Sequence, residues 1–232
     1  MQYFALLISR EQDRAPDDLS TAMAAFEAFH AKAGPAIKAG DALAPAADAV
    51  VITGGQDAPV VTDGPFAEAA EVACGYYVFE AENLDEALAL AREVPVATFG
   101  AVELWPVVHA IEPSRALTGN DWLALLLEPP ESAHTPGTPE WETVAAKHAD
   151  LHAAAGDHVI GGGALHDRST ATTVRVRDGE VLITDGPYVE GAEIATGIYL
   201  LSAADRDEAV KIASMIPASA VQLRQLAGVA GL

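Results

Sequence analysis

The 232 residues suffice for one large domain or two of about 115, and a unit of the smaller size buries only roughly two-thirds of its unfolded surface, so it gains from packing on a partner. Thirty-four acidic against 13 basic residues give a formal net charge of −21, a surface that repels phosphate backbones and anionic lipid and disfavours nucleic-acid and membrane partners. Half the residues are hydrophobic, yet no run approaches the ~18 apolar residues of a membrane span. The single cysteine, Cys74, excludes an internal disulfide and fits a reducing cytoplasm.

The chain starts directly with Tyr3-Phe4-Ala5-Leu6-Leu7-Ile8, which reads as a strand and not as a signal peptide. It is apolar without alternation, so it is expected to be covered on both faces. Pro16-Asp17-Asp18-Leu19-Ser20 opens a helix through Met23, Phe26 and Phe29, with Gly34 near its end. A short strand is expected over 42–44. Ala49–Ile52 and Pro59–Thr62 then form a hairpin around Gly54-Gly55, followed by Thr62-Asp63-Gly64-Pro65-Phe66-Ala67-Glu68. A strand over 73–80 leads to Asn83-Leu84-Asp85-Glu86, a capping-box pattern, then a helix over 85–94 and a strand over 101–108.

After a linker over 110–120, the same order returns. Trp122–Leu127 is again apolar throughout, and Thr138-Pro139-Glu140 opens a helix that closes near Gly156. Gly161-Gly162-Gly163 reads as a tight turn before a strand over 164–166, with no helix N-terminus to offer a phosphate. Thr172–Arg177 alternates, Asp178-Gly179 is a strong hairpin signal, and Val181–Thr184 returns to Thr184-Asp185-Gly186-Pro187-Tyr188-Val189-Glu190. A strand over 194–202, a helix over 206–216 and a strand over 220–226 complete the copy. Asp63 and Asp185 lie 122 apart (185 − 63), as do Gly75 and Gly197, His30 and His152, and Pro95 and Pro217. A shared offset over so many positions means a duplicated domain, residues 1–109 and 121–232. Each copy suits a ferredoxin-like βαββαβ unit of the α+β class. Two such sheets meeting by their open faces would cover the doubly apolar first strands.

The Asp-Gly-Pro-Phe motif, Gly75-Tyr76-Tyr77, the helix at Asp85-Glu86-Ala87 and Val102-Glu103-Leu104 resemble the YCII-related family, in its DGPF-domain branch, once per half. The resemblance implies a dimeric α/β barrel, here a tandem pseudo-dimer in one polypeptide that stays monomeric or pairs further. Related barrels include muconolactone isomerases, small monooxygenases and a dehydrochlorinase. The branch itself mostly has no assigned reaction, and its genes often neighbour extracytoplasmic-function sigma factors. YCII-type relatives are associated with a His–Asp pair in the cleft, matched best by His30 with Asp63 and His152 with Asp185. The second half keeps the family's Thr-Val-Arg as Thr173-Val174-Arg175, where the first has Val51-Ile52-Thr53. Of the family's Val-Glu-x-Arg, the first half keeps Glu103 with Trp105 at the arginine position, and the second keeps Arg224 with Gln222 at the acid.

His152 is therefore the candidate general base, Asp185 its orienting carboxylate and Arg175 a clamp for a substrate carboxylate. His30 and Asp63 form the counterpart pair, and Glu103, Arg224, Tyr77 and Tyr199 are expected substrate contacts. The bland alternative has Asp185 bonding its own turn and His152 on a helix surface. The expected chemistry is cofactor-independent proton transfer or elimination on a small molecule. A non-catalytic metabolite- or protein-binding module linked to sigma-factor systems is the alternative. His148 and His152, four apart on a helix, have the spacing of many metal sites, but no glutamate stands beside them as in a zinc-protease helix, and no metal is assigned. Trp105, Trp122 and Trp141 read as core and cleft lining.

Overall fold

The opening strand is buried along its whole length, as its unbroken apolar run requires: β1 (Gln2–Ser9) lies between two layers. The structure is a computed structural model that describes residues 1–10, 19–64, 71–187 and 193–229. The family motif's Phe66, Glu68, Tyr188 and Glu190, and the expected helix start at Pro16-Asp17-Asp18, fall outside those residues. After β1 the first half runs α1 (Leu19–Ala33), β2 (Ile37–Ala42), β3 (Val50–Thr53), β4 (Val60–Asp63), β5 (Val72–Glu80), α2 (Leu84–Ala91) and β6 (Ala101–Pro106). The second runs β7 (Asp121–Glu128), α3 (Pro139–Ala155), β8 (Val159–Ala164), β9 (Thr172–Arg177), β10 (Glu180–Asp185), β11 (Ile194–Ser202), α4 (Arg206–Ala213) and β12 (Ala220–Gln225).

Local signals act where the sequence puts them. Asn83 accepts from the Glu86 N–H at 3.1 Å and caps α2, and Asp205 caps α4 through the Glu208 N–H at 2.9 Å. Asp178 and Gly179 both take positive φ, as a two-residue turn matching the strand twist demands. The strands expected over 42–44 and 164–166 instead occupy β2 and β8, each entered directly from a single 3₁₀ turn after its helix. Gly161-Gly162-Gly163 is accordingly strand and not turn. Gly162 pairs with Tyr199 and lies under its ring, where an added Cβ would stand 2.6 Å from the ring edge, so the glycine serves side-chain packing.

Both sheets are antiparallel and six-stranded, in the orders β10-β9-β6-β1-β5-β2 and β4-β3-β12-β7-β11-β8. Four strands of each, β6-β1-β5-β2 and β12-β7-β11-β8, form the ferredoxin-like arrangement. The hairpins are exchanged. β3–β4 of the first half pairs with β12, and β9–β10 of the second pairs with β6. The crossing occurs at the corners. Leu43 bridges Leu226 and Val107 bridges Leu165, so the chain leaves its own sheet just after β2 or β8 and continues on the other half's last strand. These bridges close the two four-stranded units into a barrel.

Three clusters fill the molecule. The central one draws Phe4, Leu6, Tyr76 and Trp105 from one sheet and Leu123, Leu125, Ile198 and Leu200 from the other. The outer two pack α1 and α2 on one sheet and α3 and α4 on the other. Each hairpin contributes to the outer core of the half it joins, through Val174 in one case and Val50 and Ile52 in the other. The fold is a dimeric α/β barrel made within one chain. No helix among the described residues is long and apolar enough to cross a membrane.

Candidate functional site

The helix α3 reaches the outer core only through Leu151 and Ala155, near its C-terminal end. Its first turns carry Glu140, Trp141, Glu142, Val144 and Ala145, too little apolar surface to pull them onto the sheet. A cleft of about 860 Å³ opens between α3, β8 and β11. Trp141, His148, His152 and Tyr199 line it, with Leu126 and Glu128 along one side. The first half contributes Gly54–Asp57, brought there by the hairpin exchange, and His109. The His109 ring lies 6.2 Å from that of Trp141.

At the base of the cleft Tyr199 lies across Gly162, and its hydroxyl meets Nδ1 of His148 at 2.9 Å. The rings of His148 and His152 sit 5.8 and 5.5 Å from the Tyr199 ring. Burial is the main cause that lowers the His148 pKa to about 4, and the neighbouring His152 adds to it, so His148 is neutral at physiological pH. Burial pushes the Tyr199 hydroxyl up to about 12, so it keeps its proton. The first half builds a related pair: Tyr77 lies across Gly40, and Nε2 of His30 meets its hydroxyl at 2.7 Å. There Phe29 and Phe79 pack on the Tyr77 ring, both at 5.5 Å.

The residues expected from the sequence are dispersed by the hairpin exchange. His152 lines the cleft on the second sheet, whereas Asp185 and Arg175 lie on β10 and β9 of the first sheet and are not among the residues lining that cleft. Asp63 is carried to the edge strand β4 of the second sheet, away from His30, and pairs there with Arg206 of α4. Across the halves, Asp185 lies on β10, four strands along the sheet from β5, whose Tyr77 meets His30.

Glu103 and Arg224 face the barrel interior. Glu103 accepts from the Trp105 indole at 2.5 Å, and its burial raises the carboxyl pKa to about 7 against that hydrogen bond. Arg224 donates to the Ala44 and Ala73 carbonyls at the corner where the halves join. Tyr77 and Tyr199 each hold a histidine. Among the described residues no three His, Cys, Asp or Glu side chains gather as a metal site. The spacing of the histidines does not reveal the pairing of His148 with Tyr199. Its signal lies in the 122 offset, which puts His148 opposite Phe26 (148 − 26) over equivalent tyrosines.

A search of curated proteins finds no match. Among solved structures, the one described as "Crystal structure of Putative Chlorite dismutase TA0507" is similar over 99% of this chain and 95% of its own, at 10% identity and a TM-score of 0.41. The model of the YCII-related domain matches residues 1–111 and again 124–224. With nearly the whole chain covered by two such matches, this protein belongs to the YCII-related family and carries its domain twice.

Proposed function

We propose that the protein is a small-molecule enzyme that moves a proton without a cofactor, with His152 in the α3 cleft as the proton acceptor. In the step envisaged, a carbon acid gives its proton to a ring nitrogen of His152. The C–H electron pair moves to a neighbouring carbonyl oxygen as an enolate. Return of the proton to another carbon gives isomerisation, and loss of a leaving group from the adjacent carbon gives elimination. The observation that carries the reading is the cleft. Its volume falls in the roughly 300–1,000 Å³ range of small-molecule sites, and it holds a neutral histidine, a protonated tyrosine and an exposed second histidine together. Of the His–Asp pairs implied by the family, this reading uses His152 alone.

The test is proton exchange in D₂O at the α-carbon of pyruvate, acetoacetate and cyclohexane-1,2-dione, followed by NMR. Exchange above the buffer rate, lost in His152→Gln, is expected. No exchange in the wild type, or undiminished exchange in the variant, overturns the reading. One observation favours a binding module without turnover: among the described residues His152 makes no hydrogen bond to a carboxylate that would orient it. Saturable binding of those compounds with no exchange would select that alternative.

A further inference from the structure

The tyrosine at the base of the cleft decides which nitrogen of His148 carries a proton. Tyr199 is 6% exposed, and its hydroxyl has one hydrogen-bond partner among the described residues, Nδ1 of His148. A buried phenol has one proton to donate, and the only acceptor offered to it among those residues is that nitrogen. With Tyr199 as the donor, Nδ1 is unprotonated and the neutral imidazole carries its proton on Nε2. That nitrogen has no partner among the described residues, and the side chain lines the cleft.

We propose that His148 is a catalytic hydrogen-bond donor whose Nε2–H binds the carbonyl oxygen of the substrate and the enolate that develops there, and that the substrates are small carbonyl compounds with an acidic C–H beside the carbonyl. This rests on the reading of His152 as the proton acceptor. His148 and His152 are four apart on α3, which puts their Cβ atoms roughly 5–6 Å apart on one face. One imidazole takes the proton from carbon while the other meets the charge that moves to oxygen. A neutral imidazole serves as this donor without being itself deprotonated. Its fixed direction means that little reorganisation accompanies charge development. The lowered pKa of His148 agrees with the neutral form. Tyr199 is a positioning residue, which sets the tautomer. Tyr77 meets His30 through Nε2, so the same argument puts the proton of His30 on Nδ1. The two halves should hold opposite tautomers.

The test combines ¹⁵N NMR of histidine-labelled full-length protein with the exchange assay. At neutral pH the His148 signals, assigned by their loss in His148→Phe, should show a protonated Nε2 and an acceptor Nδ1, with His30 reversed. A protonated Nδ1 at His148 overturns the inference. His148→Phe places there the residue that the first half carries as Phe26, and it should lower the exchange rate at least tenfold, in kcat more than in KM. Tyr199→Phe should give a smaller loss together with a mixture of His148 tautomers. Wild-type exchange in His148→Phe alongside lost exchange in His152→Gln overturns the donor and leaves the proton acceptor standing. Wild-type exchange in His152→Gln removes the acceptor, whatever tautomer His148 shows.

Discussion

The first half presents a histidine to Tyr77 from the last turn of α1, and the second presents one to Tyr199 from a full turn earlier in α3. The scaffold beneath is the same in both, a tyrosine laid across a glycine of the neighbouring strand. What moved is the group above it. His30 bonds its tyrosine through Nε2 among Phe26, Phe29 and Phe79, whereas His148 uses Nδ1 and leaves His152, the positional counterpart of His30, exposed in the cleft. A duplicated domain can thus keep its tyrosine-on-glycine packing and change which turn of the helix supplies the histidine that meets it.

Each half completes the other's sheet, and separating the two should have the largest effect. Residues 1–120 and 121–232 produced as separate chains should give no folded monomer, because each lacks the hairpin that extends its sheet and the inner face that covers β1 or β7. Light scattering and circular dichroism should show self-association or unfolded chain for each, and a one-to-one complex on mixing. A folded monomeric half would refute the mutual dependence.

A smaller effect is expected from the glycines. Gly162→Val or Gly40→Val drives a side chain into the tyrosine ring, since even a Cβ would approach it to 2.6 or 2.4 Å. The cost should be about 1–3 kcal/mol in chemical denaturation, and the displaced tyrosine should no longer hydrogen-bond its histidine. An unchanged midpoint in either half would show that the ring does not depend on the glycine.

Glu103 and Gln222 occupy equivalent inward positions on β6 and β12, one ionisable and one not. The folded-state pKa of Glu103 is raised to about 7 by burial, so between its unfolded value near 4.5 and about 7 the native state holds the extra proton. Stability from this group is present at low pH and lost as pH rises through that window. Glu103→Gln should remove the loss and gain about 2–3 kcal/mol at pH 8 relative to pH 5, read from urea midpoints at the two values. An equal slope in both proteins would contradict the assignment.

The mildest contrast is between His148 and its counterpart Phe26. With its folded pKa lowered to about 4, His148 binds less proton than in the unfolded chain, so stability falls as pH drops from about 6.5 towards 4. His148→Phe should flatten this acid limb by about 1–2 kcal/mol, the full linkage value of roughly 3 kcal/mol being discounted for the partial exposure of the ring, whatever the variant's absolute stability. An unchanged limb would mean that other groups dominate acid unfolding.

Much of the architecture is legible in the chain itself. The 122 offset specifies the duplication. Unbroken apolar runs at Tyr3–Ile8 and Trp122–Leu127 require cover on both faces, and Asn83 and the Asp178-Gly179 turn are local devices whose geometry depends only on their neighbours. The cleft is less legible. The spacing of His148 and His152 puts them on one face, but nothing in α3 says which of them Tyr199 will receive.

By itself, then, the sequence determined two βαββαβ units, their caps and turns, and sheets that had to meet, because backbone preferences and apolar patterns act over a few residues. Only the tertiary structure decided which sheet each hairpin joins, and hence that Asp185 and Arg175 part from His152. A strand pattern encodes which face is buried, but not whose edge supplies the hydrogen bonds.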